Sequence, residues 1–295
     1  MKQLYILISL VAFSYGQTAT YTGLTGMIYS PNYPEDYENS ANDSYIITVP
    51  AGRYIHLTFL DFLTEEPYDY LSVKTGSGNE MYTVANYSRI SGDKTGFQID
   101  INSSEATLVF TSDLTNTFRG FAIKFDAIET GTMYEPTNTC SSPIHIQRFG
   151  IVTSPNFPEN YPNNAFCSYL LTAQAGNIIE LEFVAFNTEA GYDVLYVYDG
   201  PNNASTMIGK FSGKQIPSII LSTGNSIYMF FSSDLVNNFS GFSAVYTQIS
   251  ANNKDRRGVL PQALGTDPTL RKDVNNFKWL NSRRGAGQTE KNSST

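Results

Sequence analysis

The chain is short of the residues that most often carry chemistry. Its 295 residues include two histidines, two cysteines and one tryptophan. No HExxH, GxSxG, P-loop or GxGxxG pattern occurs, which excludes the enzyme classes built on those arrangements. His56 sits mid-strand in YIHLTF, where a packed or solvent-facing ring is expected, and His145 precedes the segment SPNFP. Ser112 and Ser233 stand before aspartates with no histidine nearby in sequence. In a secreted chain two cysteines are most simply one disulfide, with two free thiols as the alternative.

Long hydrophobic runs are missing as well. The one apolar stretch lies in residues 1–16, MKQLYILISLVAFSYG, with one Lys and with small residues at Ser14 and Gly16. That is the composition of a secretory signal. It is too short to cross ~30 Å of hydrocarbon, and no later stretch is apolar enough to do so. The expectation is a secreted, extracellular mature chain beginning at Gln17, with no membrane span. Positive charge is scarce in the body of the chain. Residues 17–250 carry 9 Lys+Arg against 23 Asp+Glu, a net of −14. An acidic body argues against nucleic acid and favours cations or basic partners.

What is abundant is Tyr and Phe, 20 and 19 residues. Short segments alternate, as in Ile55, Leu57, Phe59 and again in Ile179, Leu181, Phe183. Period two with aromatic and branched residues indicates half-buried antiparallel strands. Residues 20–128 and 140–249 form an internal repeat: SPNYPEDY at 30–37 recurs as SPNFPENY at 154–161, shifted by 124. FTSDLTNTFRGF at 110–121 recurs as FSSDLVNNFSGF at 231–242, shifted by 121. Each unit, many short strands separated by turns, suits one β-sandwich. Residues 129–139 read as a linker.

Two acidic turns stand out: FLTEEPYDYLSV at 62–73 and FNTEAGYDVLYV at 186–197. Each crowds a Glu and an Asp, Glu65 with Asp69 and Glu189 with Asp193, between two strands. Like charges this close repel unless something positive lies between them. A hard cation with six to eight oxygen ligands, calcium above all, answers that need. Paired carboxylates also serve glycoside hydrolysis, but a site recurring in both repeats beside a further Asp suits an ion better. The expectation is a chain that is not an enzyme.

With these motifs in register twice, each repeat resembles a CUB domain. The matching signatures are SPNYP, an F-x-x-E turn followed by YDYL or YDVL, an F-x-SD segment and a closing GF. The resemblance implies an all-β fold: two tandem antiparallel β-sandwiches of jelly-roll type, with ligand chemistry in the loops at one end. It also implies calcium sites. In the first repeat these comprise Glu65, Asp69, Asp113 and Asn116, with Tyr37 orienting the carboxylates; in the second, Glu189, Asp193, Asp234 and Asn237, with Tyr161. Cys140 and Cys167 match the family's first bridge. The family's second bridge is missing from both repeats, and the acidic turn is shorter. The first repeat has Asp43 where the second has Cys167, so packing alone is expected to hold it.

The resemblance further implies that calcium-fixed carboxylates accept a Lys or Arg from an extracellular or cell-surface protein. An adaptor, receptor-clustering or matrix and immune recognition role follows, with lectin-like carbohydrate binding as an alternative. Sequons begin at Asn42, Asn86, Asn102, Asn203 and Asn238, marking candidate glycosylation sites. The tail, residues 250–295, is different material: basic, without period, and expected to be disordered. Arg256-Arg257 and Arg283-Arg284 each precede a Gly. They are either a solvated basic surface or processing sites that would make the chain a precursor releasing its tail as a peptide.

Overall fold

The computed structural model describes residues 16–75, 82–84, 87–134, 140 and 144–251. Residues 1–15 of the signal segment, residues 135–139 of the linker, Asn86 and the dibasic pairs of the tail lie outside the described residues. Among the described residues, no helix is long and apolar enough to cross a membrane.

Among its described residues the first repeat folds into nine strands: β1 (Thr18–Thr22), β2 (Thr25–Tyr29), β3 (Asn42–Thr48), β4 (Arg53–Leu63), β5 (Tyr70–Thr75), β6 (Tyr82–Thr83), β7 (Gln98–Ile101), β8 (Glu105–Thr111) and β9 (Gly120–Glu129). They form two sheets, in the orders β1-β3-β8-β5-β6 and β2-β9-β4-β7. The second repeat uses the same plan with β10 (Ile144–His145), β11 (Phe149–Thr153), β12 (Phe166–Thr172), β13 (Asn177–Asn187), β14 (Val194–Asp199), β15 (Thr206–Phe211), β16 (Ile220–Leu221), β17 (Ser226–Ser232) and β18 (Gly241–Ser250). Its sheets run β10-β12-β17-β14-β15 and β11-β18-β13-β16. The expected all-β fold is what the chain adopts.

Each pair of sheets closes on its own apolar core. One core gathers Ile55, Leu57, Phe59, Phe62, Phe110 and Phe121; the other gathers Leu181, Phe183, Phe186, Phe231 and Phe242. Each fully buried Phe stabilises the fold by roughly 1.5–3 kcal/mol relative to exposure. Strict alternation from Phe59 would carry Asp61 into the first core. A bulge between Phe59 and Asp61 in the β4–β9 register changes the phase, so Phe62 enters the core. One extra residue on one strand is what a bulge supplies. Asp61 then faces the other way, where it accepts from Tyr33 Oη at 2.9 Å and Arg119 Nε at 2.7 Å.

Pairing is not purely antiparallel, as the alternation had suggested. β1 runs parallel to β3, from Thr18↔Ser44 to Thr22↔Thr48, and β10 runs parallel to β12. Parallel neighbours need a crossover rather than a hairpin. Here β2 and β11, lying in the opposite sheets, supply it.

The SPN and GF signatures meet in space. Ser30 Oγ accepts the Phe121 amide at 2.9 Å, and Ser154 Oγ accepts that of Phe242 at 3.0 Å. Gly120 and Gly241, both at φ +79°, let the backbone pass; a Cβ there would collide with the serine hydroxyl. A further small apolar cluster joins Tyr33 and Ala122 to Val184 and Val245, with Tyr29 and Phe149 packed edge-on at 5.3 Å. Ser243 Oγ also donates to the Leu60 carbonyl at 2.8 Å.

Candidate metal centres

The acidic turns become sites because β5 pairs with β8 and β14 with β17. Tyr70↔Thr111 and Val194↔Ser232 are register partners. Asp69, just before β5, is thereby brought beside Asp113, just after β8, and Asp193 is brought beside Asp234 in the same way. Carboxylate oxygens of Glu65, Asp69 and Asp113 lie within 4.8 Å of one another, and so do those of Glu189, Asp193 and Asp234.

The central aspartate of each triad is fully buried and held from two sides. Asp69 Oδ2 accepts the Tyr37 hydroxyl at 2.6 Å, and its Oδ1 accepts the Asp113 amide at 2.7 Å. Asp193 repeats this with Tyr161 at 2.6 Å and the Asp234 amide at 2.8 Å. The same tyrosine hydroxyls accept the amides of Glu65 at 3.1 Å and Glu189 at 3.0 Å. One phenol therefore ties the buried Asp to the backbone of the Glu. Burial raises the phenol pKa in both tyrosines, and the bond to the aspartate raises it further. Each stays protonated and able to donate. Burial likewise raises the Asp69 carboxyl, against the opposing hydrogen bonds from Tyr37 and Asp113.

The outer carboxylates are positioned as tightly. Asn116 Nδ2 donates to Glu65 Oε1 at 2.6 Å, and Asn237 Nδ2 to Glu189 Oε1 at 2.7 Å. Both asparagines adopt the left-handed backbone, φ 56° and 54°, a conformation Asn tolerates better than most residues. Asp113 Oδ1 accepts the Thr115 amide and Asp234 Oδ1 the Val236 amide, each at 2.9 Å. Glu65 Oε2 and Glu189 Oε2 are buried and have no hydrogen-bond partner. No ion pair among the described residues involves any of the six acids. A buried carboxylate oxygen without a donor is costly. The oxygen-only donor set, repeated with the same orphan atom, is one that a hard divalent cation satisfies.

Every residue expected at these sites is thus brought to them: the three acids, the asparagine and the tyrosine of each repeat. The two asparagine amides act on the neighbouring Glu. Sequence reasoning missed Thr64 and Thr188, whose hydroxyls donate to the carbonyls of Asp69 and Asp193 at 2.9 and 3.0 Å. It also missed the exposed apolar rim, Tyr68 and Leu114 at one site and Tyr192, Leu235 and Val236 at the other. Apolar residues flanking an acidic turn at matching repeat positions were the available signal.

Elsewhere, Cys140 and Cys167 form a disulfide. In the first repeat the corresponding tether is a hydrogen bond, Gln17 amide to Asp43 Oδ1 at 2.8 Å, so that repeat does not rely on packing alone. His56 is buried, stacks on Tyr134 at 3.7 Å and approaches Asp100 Oδ1 at 2.7 Å. Asn42, Asn102 and Asn203 are exposed. Asn238 is engaged: its Nδ2 donates to Asn163 Oδ1 and its Oδ1 accepts from Asn160 Nδ2, each at 3.1 Å.

A sequence model of the CUB domain matches residues 16–125 and 140–246. The chain is 33% identical to human cubilin over 235 residues, covering 76% of this chain and 6% of cubilin. It is 30% identical to human procollagen C-endopeptidase enhancer 1 over 286 residues, 89% of this chain and 62% of that protein. The chain therefore spans a small fraction of cubilin and under two thirds of the enhancer. Among solved structures, the CUB1-EGF-CUB2 domain of human MASP-1/3 aligns at 25% identity with a TM-score of 0.35, covering 77% of this chain and all of that one. The MASP-1 CUB2 domain bound to Ca2+ aligns at 30% identity with a TM-score of 0.34, covering 37% of this chain and 99% of that one.

Proposed function

The chain belongs to the CUB family, and from that premise we propose that it is a secreted, non-enzymatic tandem-CUB protein. In this reading it binds calcium at two acidic centres and uses them for extracellular protein–protein recognition. The observation that carries this is the buried, partnerless Oε2 of Glu65 and of Glu189, each beside two further carboxylates.

Glu65, Asp69 and Asp113 would hold the ion in the first repeat, and Glu189, Asp193 and Asp234 in the second. Calcium bound there supplies the positive charge that lets three carboxylates converge without mutual repulsion. The residues around them do the rest. Tyr37 and Tyr161 fix the buried aspartates, and Asn116 and Asn237 aim the glutamates. Thr115 and Val236 amides orient the outer aspartates.

Recognition follows from what surrounds these groups. An acidic centre accepts a Lys or Arg side chain through charge-assisted hydrogen bonds, stronger than neutral ones. The exposed Tyr68 and Leu114, and Tyr192, Leu235 and Val236, offer an apolar rim for the stem of that side chain and its neighbours. The net −14 of residues 17–250 steers basic partners toward the body.

Calorimetric titration with calcium tests the reading. The wild type is expected to show two sites of extracellular grade, Kd about 10⁻⁴–10⁻³ M. Asp69→Ala and Asp193→Ala should each remove one site, and the double variant both. Unchanged calcium binding in the double variant, or no binding by the wild type, would sink the assignment.

A further inference from the structure

The five-stranded sheet of the second repeat presents an aromatic face away from its own core. Tyr196 and Tyr198 on β14 alternate outward and pair across the strand boundary with Phe230 and Tyr228 on β17. Ring centroids lie 6.3 Å apart for Tyr196–Phe230 and 6.1 Å for Tyr198–Tyr228. Together with Asn203 and Ser232 these four rings line a shallow groove.

The first repeat provides an internal control. At the same register positions it pairs Ser72 with Val109 and Lys74 with Thr107. Four aromatic rings in one copy therefore replace a serine, a valine, a lysine and a threonine in the other. A second difference goes with the first. Asn203-Ala204-Ser205 is a sequon, whereas the residues 124 earlier, Asn79-Glu80-Met81, are not. Asn203 is exposed in the turn between β14 and β15. That turn is held by Asn202, whose Oδ1 accepts the Ala204 amide at 3.0 Å and whose carbonyl accepts the Ser205 amide.

We propose that the N-linked glycan on Asn203 lies across this aromatic groove, its first sugar ring stacked on Tyr198 and Tyr228. A pyranose has a face of C–H groups that packs on an aromatic ring by dispersion, and a rim of hydroxyls for tyrosine and Ser232 to bond. None of the six lining residues is Asp, Glu, Lys, Arg or His, in a body whose net charge is −14. That lining suits a neutral, amphipathic ligand and not a basic peptide. Attachment uses a lipid-linked pyrophosphate oligosaccharide donor. The bond from sugar C1 to Asn203 Nδ2 forms, the C1–O bond to pyrophosphate breaks, and the amide proton leaves with the released pyrophosphate. An aromatic face that would otherwise invite association is covered.

This inference rests on the secreted reading above, and its test separates the two. The full chain is produced in secreting eukaryotic cells and each sequon is scored by glycopeptide mass spectrometry. Thermal unfolding is then measured for wild type, Asn203→Gln, Tyr198→Lys/Tyr228→Thr, and all three changes together. The replacements are the first repeat's own residues, which the same fold accommodates. Asn203→Gln should lower Tm by about 4 °C in the aromatic background and leave it unchanged in the Lys/Thr background. The acetamido methyl proton of the first sugar should show an upfield ring-current shift that the Lys/Thr variant abolishes. Glycan at Asn42 or Asn102 with none at Asn203 would overturn this proposal and leave secretion standing; no glycan at any sequon would overturn both. Occupancy without coupling, or self-association of the glycosylated chain through this face that Tyr198→Lys disrupts, would also overturn it.

Discussion

The Tyr161 hydroxyl donates to Asp193 Oδ2 at 2.6 Å and accepts the Glu189 amide at 3.0 Å. A single atom thus sets the spacing between two acids of one centre. Tyr37 does the same between Asp69 and Glu65. Outer groups of this kind typically govern metal affinity by 10–100-fold. Tyr161→Phe removes only the oxygen, leaving the ring against Phe231. Calcium affinity at the second centre is expected to fall by about that factor, with the first centre unchanged in the same calorimetric titration. Equal affinity at both centres would show that the phenol does not position Asp193.

Two different tethers hold the N-terminal segments of the two repeats. The Cys140–Cys167 disulfide closes a loop with a separation of 27 residues, and its reduction should cost about 3 kcal/mol. Asp43→Ala removes the acceptor for the Gln17 amide and should cost about 1–2 kcal/mol. Urea unfolding with and without reductant checks both values. The two costs are expected to add within about 0.5 kcal/mol, because the tethers share no partner.

Asp61 is fully buried and meets Arg119 at 2.7 Å, while Arg119 also approaches Glu182 at 3.8 Å. The second repeat carries Ala185 and Ser240 at the matching positions, so both members of the pair are absent there together. Asp61→Ala leaves a largely buried guanidinium without its main partner, a change that typically costs about 3–5 kcal/mol. Asp61→Ala/Arg119→Ser should recover much of that loss in urea titration. A double variant as unstable as the sum of its singles would mean the pair contributes no mutual stabilisation.

Much of the fold was legible because strands announce themselves locally. Alternation located the core residues Ile55, Leu57 and Phe59, and repetition at shifts of 124 and 121 showed that one plan is used twice. The bulge at Phe59–Asp61 was not legible, since a strict period of two assigns Asp61 to the wrong face. The parallel edge strands were hidden for another reason: direction of pairing depends on where the chain crosses between sheets, which periodicity does not record. The Asp61–Arg119 pair could have been found by comparing the repeats, because both residues change together between them.

By itself the sequence determined the strand content, the two acidic turns and the two cysteines, all properties of residue type and short spacing. The tertiary structure decided what meets what. Asp113 stands 44 residues from Asp69, and Tyr37 stands 32 on the other side. They converge because β5 and β8 pair in one register, Tyr70 against Thr111, within one sheet. A shift of that register by one residue would leave the acids in the chain and abolish the centre, since side chains on a strand change face at every step.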